Sequence, residues 1–442
     1  MKLTKIFSGL AIFIVVSLSL AGCGGSQSGS SSDSGSTNLT FWAAPNPPQL
    51  AFWTQMAKEY TAKNPSVKIT VKSIPESPSS EAGIQAALAG NTAPTASENI
   101  FTGFGSQLSQ SQALVPLDQM PGWDNVLKAR HMENTAQSWK FSDGHSYILP
   151  IYSNAIQVAW RMDILKQLGY SQPPHTYSEV LELGQKLKAK FPDKYVWARG
   201  ELAKDTWYER WFDFFTLYDA ASNGNSFISG SKLTADDQTA VSTLSWLQQL
   251  SQKKYLLTQT ITDPFENGNS VMTILGPWTF TTWQQKYPNL QLNKTYVLTS
   301  PVVPDNMAST QDVKTFADSK GIVIYKQASE AQQQAIWKFV SWVLSDPQHD
   351  LTWLKTTALP PARDDLNTNS AFASYLNQHP ELLAFTKNIV NGVPPIKNGK
   401  YSDIQQKLGA DAVIPVVKGQ ASPQNAWNAF KSDVQSSLGG NQ

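Results

Sequence analysis

The sequence contains one cysteine, Cys23, in 442 residues. No internal disulfide can form, so the fold must rest on its apolar core. Histidine is also scarce. The five present, His131, His145, His175, His349 and His379, lack the close spacing of a metal site. No metal and no cofactor is expected. There is no Gly-x-Ser-x-Gly elbow and no phosphate loop. Glycoside hydrolysis needs two carboxylates flanking one bond, and no local group of acids marks such a pair. Past residue 20, polar residues or prolines interrupt every apolar stretch, whereas a membrane span needs about 20 apolar residues. Charged residues make up 16% of the chain and nearly cancel, at +1. Nucleic acid would call for a basic face, and none is evident. Tandem repeats are absent, which disfavours a cell-wall adhesin.

What is present begins at the N-terminus. Lys2 and Lys5 precede an apolar run over residues 6–20, which ends in Leu20-Ala21-Gly22-Cys23. Residues 1–22 read as a secretory signal peptide. Leu-Ala-Gly-Cys resembles the bacterial lipobox, in which cleavage leaves the cysteine first in the chain and lipidated. One acyl chain anchors marginally at ~0.8 kcal/mol per buried CH₂, and two or more hold firmly. Residues 23–37 then supply the lipidated Cys23 and a flexible Gly/Ser tether. Removing residues 1–22 takes away two lysines and no acids, which moves the net charge from +1 to −1. The expected place is the extracytoplasmic face of the cell membrane. The remaining length exceeds one ordinary core and suggests two lobes.

Along the chain, strands and helices alternate. Leu39-Thr40-Phe41-Trp42 is strand-like, and three prolines follow at 45, 47 and 48. Leu50, Trp53, Met56, Ala57 and Tyr60 recur at helical spacing up to Asn64-Pro65. Val67, Ile69 and Val71 then alternate with polar residues, the period of a half-buried strand. Strand–helix–strand is the unit of a parallel sheet. A further strand is expected over residues 97–101, and extended segments over 147–152 and 158–160 carry the chain from one lobe to the other. Thr176-Tyr177-Ser178-Glu179 is a capping box. Residues 271–275 and 321–325 read as strands, and Ile336, Phe339, Val340, Val343 and Leu344 mark an amphipathic helix. The C-terminal third reads as helices. Fifteen tryptophans are a heavy load. Trp suits cores and sugar-facing surfaces alike.

These motifs, in this order, resemble the extracellular solute-binding proteins of carbohydrate ABC transporters, the group that contains maltose-binding protein. The resemblance rests on Leu39 to Trp42, Asp143-Gly144 with the run 147–152, and the capped helix from Thr176. It continues through Phe265-Glu266-Asn267-Gly268 before Met272-Thr273-Ile274-Leu275-Gly276-Pro277-Trp278, then the strand from Gly321, the helix from Ala335, and Leu359-Pro360-Pro361-Ala362-Arg363. It implies a two-lobed α/β fold of the periplasmic-binding-protein type II class, each lobe a mostly parallel sheet flanked by helices. The expected division is 38–150 plus 302–328 for the N-terminal lobe and 151–301 plus 329–442 for the C-terminal lobe. It also implies a monomer, without catalysis, that captures a sugar or oligosaccharide in the cleft and delivers it to ABC permease subunits. A secreted carbohydrate-active hydrolase, or a receptor for a non-sugar solute such as a glycerol phosphodiester, are the alternatives.

A sugar offers weakly apolar C–H faces and a hydroxyl rim, so its site needs aromatic plates and polar groups together. Trp278 follows a strand end and a Gly-Pro bend, where ligands of α/β folds sit, and it matches the family's Gly-Pro-Trp aromatic. Trp42 either contacts ligand or caps the core. Asn46 is the only polar side chain between Trp42 and Gln49. Glu98 and Asn99 end a strand, where they either grip hydroxyls or serve a turn. Tyr152 occupies the family's Leu-Pro-x-Tyr position. Trp207, Glu209 and Arg210 form a polar–aromatic cluster in the second lobe. Tyr401 lies where relatives often carry a ligand-stacking Trp. Arg363 reads as structural.

Overall fold

A computed structural model describes residues 36–205 and 212–439. Cys23 and the candidates Trp207, Glu209 and Arg210 lie outside these residues. The strands in chain order are β1 (Thr37–Ala43), β2 (Val67–Ser73), β3 (Ala96–Ile100), β4 (Leu149–Ala155), β5 (Gln157–Trp160), β6 (Tyr195–Ala198) and β7 (Ile228–Ser229). They continue as β8 (Lys232–Leu233), β9 (Leu256–Leu257), β10 (Ser270–Leu275), β11 (Val297–Thr299), β12 (Thr315–Ile324) and β13 (Gly392–Val393).

Two sheets carry the fold. The first runs β13-β12-β3-β1-β2, with β4 paired to β12; the second runs β11-β5-β10-β6-β9. β1 is parallel to β2 and β3, while β12 is antiparallel to β3 and β4. In the second sheet β6 is parallel to β9 and β10, and β5 is antiparallel to β10 and β11. Both sheets are therefore mixed. β4 and β5 run against every strand they pair with, and β12 runs against β3 and β4 but parallel to β13.

Local chemistry explains the elements. Leu39, Phe41 and Ala43 alternate inward on β1. Pro47 and Pro48 open the Pro47–Lys63 helix rather than break the chain, since the first helical turn needs no N–H from them. This helix buries Phe52, Trp53, Met56 and Tyr60. The Trp53 ring lies 4.3 Å from that of Phe41. The Thr176–Glu179 capping box is formed. Pro347 likewise begins a helix, Pro347–Thr357, capped by Asp346.

One expectation needs correction. The expected division places residues 329–442 in the second lobe, but the Glu330–Leu344 helix buries Ile336, Phe339 and Val340 in the same apolar cluster as Leu39, Phe41 and Trp53. The apolar stripe on this helix matches the open face of β1, and burying it there removes both from water. The helices Ser370–Gln378 and Pro380–Asn388 do join the second sheet's side, where Phe372 and Phe385 pack with Leu275 and Phe280.

The chain passes between sheets at a few tied points. β4 hands over to β5 through the buried Ile156, whose N–H donates to Phe316 O at 2.9 Å and whose carbonyl accepts the Thr315 hydroxyl at 2.7 Å. Farther on, Ala362 N–H donates to Ile151 O at 3.0 Å and Ser153 N–H to Pro360 O at 3.1 Å. Arg130 secures this region. It is fully buried, donates to the carbonyls of Pro150 and Ile151, and pairs with Asp350 at 3.0 Å. Asp350 also takes Arg363 at 2.9 Å, which confirms a structural place for that arginine.

Candidate functional site

Three strand ends converge on one cavity of about 390 Å³. Ala44, Pro45 and Asn46 follow β1, Asn99 and Phe101 lie at the end of β3, and Trp278 follows β10. Such ends are where open α/β sheets leave room for ligands. The floor comes from the paired strands β4 and β12, which contribute Tyr152, Asp318 and Lys320. Phe212 adds a ring from the second lobe. A second hollow of about 490 Å³ shares Pro45, Asn46 and Trp278, so the groove runs on past the indole.

Trp278 is half-buried and touches the apolar clusters of both sheets. Gly276 makes its pose possible. A Cβ there would lie 2.0 Å from the indole, so only glycine lets the ring fold back over the bend. Phe212 meets the indole edge-on at 6.1 Å and 90°. Opposite, Tyr152 is buried, stacks on Trp353 and donates its hydroxyl to Asp318 at 3.3 Å. Burial first, then the carboxylates of Asp318 and Glu98, hold the Tyr152 hydroxyl far above the ordinary tyrosine range. Lys320 donates to the Asn99 side chain at 2.9 Å and lies 4.0 Å from Asp318.

Asn99 owes its position to a bulge. Gly321 pairs with Ile100 but Val323 pairs with Ser97, so Glu98 and Asn99 together face Ile322. Asn99 absorbs the extra residue at φ 69°, a left-handed conformation that asparagine tolerates. The bulge turns the Asn99 side chain to the cavity and Glu98 away from it. Glu98 is completely buried beneath the wall, where it accepts the Ala44 N–H at 2.9 Å and the Gln49 amide at 3.2 Å. Burial pushes its carboxyl up to about 7, against the opposing pull of these donors and of Lys320.

The cavity thus gathers Trp278, Asn46, Asn99 and Tyr152 from the candidates. It leaves out Trp42, Glu98 and Tyr401. Trp42 packs on the opposite face of β1 from Phe41, against the cluster of Ile74, Ile100 and Phe101. Tyr401 is 1% exposed and stands 4.8 Å behind Phe101, its ring filling the space over Gly103. Sequence reasoning missed Asp318, Lys320 and Phe212. A signal existed for the first two: Phe316, Ala317, Asp318, Ser319 and Lys320 lie directly before the apolar run at Gly321, at strand spacing. Among the described residues no group of His, Cys, Asp and Glu is placed to hold a metal ion.

Two mixed sheets with a walled groove between them define a two-lobed α/β binding protein. Residues 55–381 match the family described as bacterial extracellular solute-binding protein, and the chain belongs to that family. The uncharacterized protein lmo0859 from Listeria monocytogenes EGD-e is 49% identical, with 91% of this chain and 100% of that chain covered and a TM-score of 0.78. The GacH receptor of Streptomyces glaucescens GLA.O, solved unliganded and with acarbose, is similar in fold at 16% identity, with a TM-score of 0.74 over 91% of this chain and 98% of that one. The maltotriose-binding protein of Pyrococcus abyssi (strain GE5 / Orsay) is 22% identical over 320 residues, 71% of this chain. That match spans 64% of the relative's own length. No helix among the described residues is long and apolar enough to cross a membrane.

Proposed function

We propose that this chain captures a neutral sugar or oligosaccharide between its lobes and presents it, unaltered, to an ABC importer. The observation that carries the reading is the composition of the groove: the ring of Trp278, with Phe212 beside it, faces the polar set Asn46, Asn99, Asp318 and Lys320. Rings suit the C–H faces of a sugar and the polar set suits its hydroxyls. A volume of about 390 Å³, continued by the second hollow, falls within the roughly 300–1,000 Å³ of small-molecule sites. Maltotriose and acarbose, the ligands named with the Pyrococcus and Streptomyces proteins, agree with this class. A phosphodiester is a poorer match. Among the described residues the lining holds Glu76, Glu81 and Asp318 against one cation, Lys320, which is already engaged by Asn99.

Binding without turnover is part of the same reading, as are a monomeric state and a lipid anchor at Cys23. The deciding experiment titrates the purified protein with maltotriose, other neutral oligosaccharides and glycerophosphocholine, and follows heat, tryptophan emission and products. One-to-one saturation by a sugar, weakened in Trp278→Ala and without hydrolysis, is expected. Cleaved sugar, or saturation by glycerophosphocholine alone, overturns the reading. For the anchor, Cys23→Ser is expected to free the protein from membranes with binding intact, and continued membrane retention refutes it.

A further inference from the structure

We propose that Glu98 is the positioning residue of the groove, holding the 44–49 wall in place from behind through the Ala44 amide and the Gln49 side chain without touching ligand. The inference rests on the reading of this cavity as the ligand site. Its basis is the geometry of the bulge. Glu98 has no exposed surface, yet its two carboxylate oxygens reach two residues that line the cavity, one to each. Ala44 and Gln49 bracket Pro45 and Asn46, which face the groove. Asn46 caps the Pro47–Lys63 helix by position but makes no side-chain cap bond, so its side chain is free to serve the groove. What fixes the stretch is therefore the carboxylate at its back. Among the described residues, the other backbone bonds of Ala44 and Asn46 are local, Asn46 N–H to Ala44 O at 2.7 Å and Leu50 N–H to Asn46 O at 3.0 Å.

A carboxylate in this position makes the wall sensitive to protons. The charged and titratable groups around it are few. Lys320 approaches from β12 and favours the ionised form. Tyr152 approaches from β4 and remains a neutral phenol bonded to Asp318. The helix behind it brings Gln49 and Trp53, and neither titrates. The Ala44 N–H favours the ionised carboxylate, but burial outweighs it, so by linkage ionisation favours an opening of the wall that lets water reach Glu98. Glu98 titrates near neutrality, and the wall should accordingly loosen between pH 6 and 8.

Amide hydrogen exchange at Ala44 tests this with no ligand present. In the parent protein, protection corrected for intrinsic rates is expected to fall about tenfold from pH 6 to pH 8. Glu98→Gln keeps the shape and is expected to flatten the profile, and Glu98→Leu to lose the protection at both pH values. Should Glu98→Leu fail to fold, the glutamine variant decides alone. A Gln variant with the parent's pH profile overturns the proposal, because a merely structural side chain would leave that profile unchanged. Titration with maltotriose at both pH values then asks whether affinity follows protection. Absence of maltotriose binding would count against the carbohydrate reading and leave the exchange result standing.

Discussion

At the scale of single residues, the groove shows two side chains whose chemistry depends on what is placed beside them. Glu98 is an acid whose folded pKa, about 7, lies above its ordinary value of 4.5. A raised acid binds protons more tightly in the native state. Its contribution is fully present below about pH 4.5 and is lost as pH rises through 7, a change of about 3 kcal/mol at ~1.4 kcal/mol per unit. Denaturant titrations of the parent are expected to show this decline, and Glu98→Gln to remove it. An identical slope in both proteins would place the titration elsewhere. The second residue is Gly276, whose absent side chain is occupied by the Trp278 ring. Gly276→Ala should displace the indole, since three ring atoms lie within 2.5 Å of the new Cβ. The expected loss in sugar affinity is about 2 kcal/mol, roughly thirtyfold in Kd, with a shift in tryptophan emission. Calorimetry on the folded variant reads it directly. The sequence marked Trp278 because a Gly-Pro bend after an apolar run leaves an aromatic at a strand end. It left Glu98 open between a hydroxyl contact and a turn because a bulge decides which side chain faces outward, and the pairing that creates the bulge involves β12, over two hundred residues away.

Elements were legible in proportion to how local their causes are. The Thr176 capping box, the alternation in β2 and the stripe on the Glu330–Leu344 helix each follow from neighbours in sequence, and each appears in the structure. Which sheet that last helix joins was not legible, since an apolar stripe fits either lobe until the open face of β1 claims it. Within the C-terminal third, read as helices, the stretch 401–417 is also less regular than its pattern. It is helical from Tyr401, passes through a π turn at Leu408–Val413, and resumes as Ile414–Val417. Pro415 lacks an N–H and crowds the preceding turn, and a wider turn accommodates it. The tie around β4 depends on distant elements as well. Asp350 comes from the Pro347–Thr357 helix, and Arg130 and Arg363 reach it from separate loops. With Arg130 and Asp350 almost wholly buried, removing one charge strands the others. Asp350→Asn should cost about 3–5 kcal/mol in unfolding free energy, measured by denaturant titration. A loss below 1 kcal/mol would mean that the backbone hydrogen bonds of β4 suffice without the ion pairs.

At the scale of the whole molecule, function depends on how the sheets are joined. β4 and β12 pair with each other and also supply the cavity floor through Tyr152, Asp318 and Lys320. The same strands therefore adjoin the crossing between the sheets and carry cavity-facing groups. On their reverse face, Ser153 and Ser319 bond to each other at 2.7 Å. A ligand held between Trp278 on one side and Asn46 and Asn99 on the other would gain contacts if the walls approached, and bending at the crossing strands is the motion expected to bring them together. Two outcomes follow for the first sugar found to bind. At a hundredfold excess over Kd, it should raise unfolding free energy by about 2.7 kcal/mol through mass action alone. It should also lower the radius of gyration in small-angle X-ray scattering, and Trp278→Ala should need proportionately more sugar for the same decrease. Tight one-to-one binding with an unchanged scattering curve would show that the groove is already in its binding shape, with the β4–β12 pair acting as a rigid floor and not as a hinge.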